Sequence, residues 1–352
     1  MKDDGLTLED RYRRLLRLLP GYYRDRWEED MVAAFLDSRV TGDEDQDAYA
    51  CEFGKPAWPE AASVAALAAR LYLGGAGAPR RYLAWGQAVR CAVLAVLLAH
   101  AAQGLADLTL LAWRRHPASW LPALPASLAG PLPGGAWPAV GQVVDYTWIV
   151  VFLALVLGQY RTARFIAALP VAADLLLLLA AQLDGNMLRP LSSWSSFILF
   201  DLTPVLAVAA FHRDAPAAAR RPWLLALPGY CLLVPVPVLV LQSAGDQAWL
   251  PDSAGLGCLV VSVACLAHAP WALPWSGRAA GPGAWSLALT LLGAAAGVWR
   301  IVSLGSYVND PHLIKVSLAE LLILLAAVAL VIPDAARAQA AAPTPPAHPP
   351  LR

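Results

Sequence analysis

Ionisable side chains embedded in apolar stretches are where this chain could do chemistry. His100, Asp107, Asp145, Asp174, Asp201, His268, Arg300 and Glu320 are all of this kind. A charge at membrane depth is costly, so it faces protein or a water-filled space. Arg300 is the sharpest case, because a guanidinium cannot shed its proton to escape burial. It requires a carboxylate, and Glu320 or one of the aspartates is the expected partner. Asp107, Asp145, Asp174, Asp201, Arg300 and Glu320 therefore form the candidate intramembrane polar cluster. Three roles stay open for it. One is an ion pair that locks helices, and another is a proton- or ligand-handling site. The third is interfacial placement with snorkelling, which fits Arg300 and Asp107 near span ends.

Asp107-Leu108-Thr109, Asp145-Tyr146-Thr147 and Asp201-Leu202-Thr203 share an Asp-x-Thr pattern. Residues i and i+2 point to nearly opposite sides of a helix, so the two side chains do not chelate together. The threonines are expected to hydrogen-bond back into their own helices. His100 and His268 are single histidines on apolar helices, read as buried, hydrogen-bonded and neutral rather than as metal ligands. The five cysteines (Cys51, Cys91, Cys231, Cys258, Cys265) are scattered and form no CxxC. Neither a disulfide framework nor a zinc site follows from them. No HExxH, GxSxG or P-loop pattern occurs, so no enzyme activity, metal or cofactor is expected. Net charge is zero, which leaves no electrostatic footprint for nucleic acid.

The positioning elements are helices. The chain has 352 residues, 58% of them hydrophobic, and a mean hydropathy of +0.52. Apolar blocks long enough to cross a bilayer recur from residue 84 onward. Eight spans are predicted: 84–111, 139–159, 164–183, 195–212, 223–242, 255–273, 283–303 and 314–332. Tryptophans such as Trp85, Trp113, Trp194, Trp223, Trp271 and Trp299 stand near span ends, as interfacial anchoring requires. Pro170, Pro204, Pro228, Pro235 and Pro237 interrupt spans, and each frees a backbone carbonyl and kinks its helix. Arginine in the loops after the second, fourth and sixth spans puts both termini in the cytoplasm of a bacterial membrane. On that topology Asp107, Asp145, Asp201, Arg300 and Glu320 share the outer half, and Asp174 lies nearer the middle. The predicted fold is therefore all-α and polytopic, with domains 1–78 (cytoplasmic helical), 79–334 (transmembrane) and 335–352 (disordered Ala/Pro tail).

The first 81 residues hold 15 of the 26 acidic and 12 of the 26 basic side chains. Leu8, Tyr12, Leu15, Leu16 and Leu19 lie at helical spacing, and Pro20-Gly21 ends that helix. Tyr23, Trp27, Met31, Ala34 and Phe35 make a second stripe. Pro59 opens a third helix through Ala65, Leu67 and Leu71. Three short helices can share one small core. Arg11, Arg13, Arg14 and Arg17, with Trp27, are candidate contacts for a protein partner or for anionic lipid; a solvated helix face is the plain alternative.

Arg11-Tyr12-Arg13-Arg14-Leu15-Leu16-Arg17-Leu18-Leu19-Pro20 and Tyr23-Arg24-Asp25-Arg26-Trp27-Glu28-Glu29-Asp30-Met31 resemble the HAAS or permease-prefix domain. The resemblance spans residues 6–75. Where that family has a glycine-rich segment, this chain has Asp43-Glu44-Asp45-Gln46-Asp47. Such modules precede membrane segments in bacterial proteins often encoded beside PadR-type regulators. The resemblance implies a signalling or interaction domain without catalytic residues. Arginine, alanine and proline outweigh lysine (Lys2, Lys55, Lys315) as in a high-GC, actinobacterial kind of genome. The function expected is a membrane-embedded sensor or regulator whose cytoplasmic helices bind a partner. The alternative is a small-solute or ion permease with a regulatory prefix, driven by proton coupling through the carboxylates.

Overall fold

The computed structural model describes residues 6–40, 42–43, 45, 49, 52–75, 77–116, 143–183, 191–212, 219–237, 252–272 and 283–340. Among them the chain is 87% helical and has no strand. Three helices come first: α1 (Leu8–Leu16), α2 (Gly21–Asp37) and α3 (Trp58–Tyr72). Thr7 caps α1 through its hydroxyl, and Asp10 reaches back to Thr7 in a capping box. That pairing satisfies two of the donors left open at a helix start. Leu8, Tyr12, Leu16, Leu19, Val32, Phe35, Val64, Ala68 and Leu71 form one buried cluster. Tyr12 stacks on Phe35, with ring centroids 4.0 Å apart.

The buried faces match the predicted stripes in part, since Tyr23, Met31, Phe35, Leu67 and Leu71 all pack in this cluster. On α2 the core takes Val32 and Phe35, while Ala34 is exposed and Trp27 stays 40% exposed. On α3 it takes Val64 and Ala68 in place of Ala65. Alanine is too small to fix a helix's rotation, so the larger β-branched and aromatic side chains decide which face turns in.

Arg13 bonds Glu9 and, in a fork, both Glu29 oxygens at 2.7 and 2.8 Å. The Arg13 hydrogen bonds hold the Glu29 carboxyl below its ordinary range, and the Thr7 hydroxyl and amide do the same for Asp10. A carboxylate depressed in the folded state stabilises it above the unfolded pKa, and that contribution is lost as pH falls through the folded pKa. Both groups are fully exposed, so the effect is small. Amide protection across Leu8–Asp37 is expected to fall between about pH 5 and pH 3 and to stay level between about pH 6 and pH 8. Exchange measured against intrinsic rates checks this.

The remaining helices are α4 (Arg80–Arg115), α5 (Thr147–Val156), α6 (Tyr160–Leu183) and α7 (Leu191–Ser196). A π-helical turn, Phe197–Leu202, then leads into α8 (Thr203–Ala207) and a 3-10 turn, Val208–Ala210. After these come α9 (Arg220–Leu233), α10 (Ser253–Ala272), α11 (Gly283–Leu304), a 3-10 turn at Gly305–Tyr307, and α12 (Pro311–Ala340). Five of them are long and apolar enough to cross a membrane: Arg80–Arg115, Tyr160–Ala180, Ser253–Ala272, Gly283–Tyr307 and Pro311–Ala340. Val143–Val156 and Ser193–Ala207 are apolar but shorter. Phe165, Leu225, Leu322 and Leu325 are exposed on the outer faces, as lipid-facing side chains are in a helical membrane protein.

The predicted span 195–212 is the broken run from α7 to the 3-10 turn, because Pro204 interrupts its ladder. The predicted span 223–242 corresponds to α9 and residues 234–237, and its remainder lies outside the described residues, as do 139–142 of the second. The expected disordered tail is corrected at its start. α12 continues six residues past Asp334, with Ala335 buried beside Ala88, Leu287 and Ala288. Polar partners extend this helix where the apolar pattern stops. Residues 341–352 of that tail lie outside the described residues.

α4, α5 and α6 share a core around Leu94, Leu97, Phe152 and Leu155, while α10, α11 and α12 pack on one another. α4 belongs to both groups, touching α11 and α12 through Ala88. Small residues allow the close approach: a Cβ on Gly293 would collide with the Val328 side chain, and one on Gly283 with Ala338. Membrane helices gain their contact through such small-residue faces.

Candidate functional site

α10 opens at Asp252, whose Oδ1 accepts from the Gly255 amide at 2.8 Å, as an N-capping aspartate does. The same oxygen accepts from Arg300 Nη1 at 2.7 Å. Arg300 Nη2 donates to Glu320 Oε2, and the Tyr307 hydroxyl donates to Asp252 Oδ2. Arg300 is only 3% exposed. Helices α11 and α12 run antiparallel, which sets Arg300 near the end of one against Glu320 near the start of the other. Gly255 leaves the room they need: a Cβ there would lie 2.5 and 2.6 Å from the two Glu320 oxygens.

Asp252 faces a cavity of about 370 Å³, lined also by Asp174, Asp201, Trp299, Tyr307, Leu177, Leu178 and Phe197 and by Ser193, Ser196, Ser253, Ser303 and Ser306. Among the described residues, no lysine or arginine lines it. Asp174 comes from α6 and Asp201 from the π-helical turn. The turn has a local cause. Proline at 204 has no amide to return to the Phe200 carbonyl four residues back. His100 Nε2 approaches that carbonyl at 3.0 Å; a carbonyl only accepts, so Nε2 carries the proton. The Thr203 hydroxyl donates to the Ile198 carbonyl at 2.5 Å. His100 also stacks on Trp148 at 4.9 Å and lies 3.4 Å from Asp201 Oδ1. π-turns of this kind recur at functional sites.

The six predicted cluster residues divide. Asp174 and Asp201 line the cavity, and Arg300 and Glu320 are tied to it through Asp252. Asp145 is an electrostatic neighbour of Asp174, His100 and Asp107. Asp107 is held by the Gln103 amide one turn back, at 3.1 Å, and does not line the cavity. Thr147 donates to the Val144 carbonyl at 2.6 Å. Of the predicted contact arginines, Arg13 is held by glutamates and Arg11 by the Phe53 and Gly54 carbonyls. Trp27 is partly exposed, with the Arg26 guanidinium over its ring. Sequence reasoning missed Asp252 and Tyr307. The signal for Asp252 was an aspartate directly before an apolar helix, the N-cap position, opposite an arginine wanting a second carboxylate.

No protein-family model, curated protein or solved structure matches the chain. Function must therefore be read from its own geometry. Among the described residues, no group of three or more His, Cys, Asp or Glu side chains is placed to hold a metal ion.

A second polar lock closes the opposite end of α10, α11 and α12. The Ser286 hydroxyl donates to Asp334 at 2.7 Å and faces His268 Nε2 at 3.0 Å. Arg337 donates to the Ala272 carbonyl at 2.7 Å. Serine stands between histidine and carboxylate, so its hydroxyl proton is spent on Asp334. The imidazole is not placed to take it as a nucleophile's base would be. Ser286→Ala is expected to cost about 1–3 kcal/mol, because the buried Asp334 carboxylate loses a donor. Thermal unfolding of the detergent-solubilised protein reads it.

At the end of the membrane helices nearest α3, two arginines bind carbonyls that a helix end leaves open. Arg164 Nη2 reaches Val208 and Phe211 at 3.2 and 3.1 Å. Arg90 Nη1 reaches Ala210 at 3.3 Å and Leu73, at the end of α3, at 3.4 Å. Gly86 admits this contact, since any Cβ there would run into the Leu73 carbonyl.

Proposed function

We propose that this chain is a membrane-embedded sensor or regulator in which the state of the polar cavity is passed to the first three helices, acting as a cytoplasmic domain that binds a protein partner. One observation carries the proposal: a single buried guanidinium, Arg90, holds both the end of α3 and the end of the broken helix that carries Asp201. A shift of the π-turn and α8 would thus pull on the carbonyl of Leu73. The resemblance of residues 6–75 to the HAAS domain supports an interaction role, and Trp27 offers an exposed aromatic surface for the partner. The arginine bias of the loops supports a cytoplasmic placement for these helices, with both chain ends on that side.

Hydrogen exchange on the full-length protein in lipid nanodiscs tests the coupling. Asp201→Asn is expected to change exchange across residues 58–75 when Arg90 is present, and to leave it unchanged in an Arg90→Met background. Equal exchange in all four proteins would sink the sensor. A permease would use the same cavity and the proline-broken helix, and favours a different outcome: altered solute uptake with no response in residues 58–75.

A further inference from the structure

We propose that the cavity between α6, the π-turn and the end of α11 binds a small organic cation of the alkylammonium kind; this names the stimulus for the sensor proposed above and rests on that proposal. Charge balance is the first argument. Arg300 is shared by Asp252 and Glu320, so one guanidinium serves two carboxyl groups. Asp174 and Asp201 add two more carboxyl groups to the same cavity, and among the described residues no arginine or lysine lines it. His100 adds a proton donor near Asp201, but its imidazole proton is directed at the Phe200 carbonyl. Carboxyl groups gathered among apolar helices either hold their protons or take a counter-charge, and a bound cation supplies the latter.

Shape and surface select the kind of counter-charge. No metal-holding group occurs among the described residues. A volume of about 370 Å³ is small-molecule scale, within the range of about 300–1,000 Å³ for ligand pockets. Trp299, packed on Phe200, lines the cavity with aromatic surface of the kind that attracts an ammonium carrying carbon substituents, while the Tyr307 ring already lies beside Arg300. Serine hydroxyls on three sides can accept from ammonium N–H groups. An inorganic ion would use neither the aromatic faces nor the volume.

The test is calorimetric titration of the full-length protein in nanodiscs with tetramethylammonium chloride and with 1,4-diaminobutane dihydrochloride. Sodium chloride at equal ionic strength serves as a third arm. One saturable site is expected for at least one organic probe, weakened tenfold or more by Asp201→Asn and by Asp174→Asn. Trp299→Phe should weaken it severalfold, and Asp107→Asn should not change it. Gel filtration reports whether each variant is folded, and Trp299→Phe decides alone if the aspartate variants are not. The proposal is overturned if neither probe gives saturable heat or if sodium chloride gives the same response. It is equally overturned if binding persists undiminished in every folded cavity variant. Failure here with a positive exchange result at residues 58–75 would reject the ligand class and leave the coupling standing; the converse would reject the coupling alone.

Discussion

Replacing Arg300 by alanine is expected to destabilise the protein by about 3–5 kcal/mol, the cost of stranding a buried charge. Glu320 would be left at 6% exposure with no counter-ion, and Asp252 would keep only the Tyr307 hydroxyl and the Gly255 amide. The large effect reflects the partners left behind, because the intact pair itself repays much of its own desolvation. A companion change separates the two. Arg300→Ala combined with Glu320→Leu removes the stranded carboxylate as well, and should recover a substantial part of the loss. Thermal unfolding in one detergent, with gel filtration before and after heating, measures both. A double variant no more stable than the single one would contradict the assignment of the loss to Glu320.

Gly86→Ala is the second large effect. The added Cβ meets the Leu73 carbonyl, which is backbone and cannot swing aside. Forcing an extra carbon into such a contact costs about 1–3 kcal/mol. Here the cheapest relief is for the end of α3 to lift away from α4. The Arg90 bond to Leu73 is then lost as well. Gly74, with φ of +83°, lies in the left-handed region that glycine tolerates, and it ends α3 where it meets α4. Limited proteolysis between residues 73 and 80 should therefore accelerate in Gly86→Ala, while cleavage within α10–α12 stays at the wild-type rate. Unchanged cleavage at 73–80 would mean that the backbone absorbs the methyl group elsewhere.

Hydropathy located the five long helices, because each is a continuous apolar run, with ends within a few residues except at the C-terminal end of α12. It could not show that 195–212 is built from four short pieces, since the break depends on where Pro204 directs one missing hydrogen bond. Arg300 and Glu320 were legible as a pair because a buried guanidinium admits so few partners. Asp252 was not, because it stands just outside the apolar run and reads as loop charge. Its position at a helix start turns it inward. Ser286 and Asp334 were hidden for a related reason. Serine is common in membrane helices, and Asp334 sits where a span would be expected to end. Among the first three helices, leucines at strict spacing on α1 marked the buried face. On α2 and α3 most of the large side chains in the predicted stripes pack inward, but alanine left the edges of the buried face undecided, so Val32 and Val64 were not picked out.

The 36-residue helix Arg80–Arg115 has one further consequence. At 1.5 Å per residue it is about 54 Å long, well beyond the roughly 30 Å of hydrocarbon in a bilayer. Gly86 and Arg90 sit near one end, His100 and Gln103 well along it. As a stiff lever of that length, a pivot of about 5° at one end displaces the other by about 5 Å, almost the height of a helical turn. With the pivot at the Arg115 end, a displacement at His100 would therefore be roughly doubled by the time it reaches the far tip of the rod.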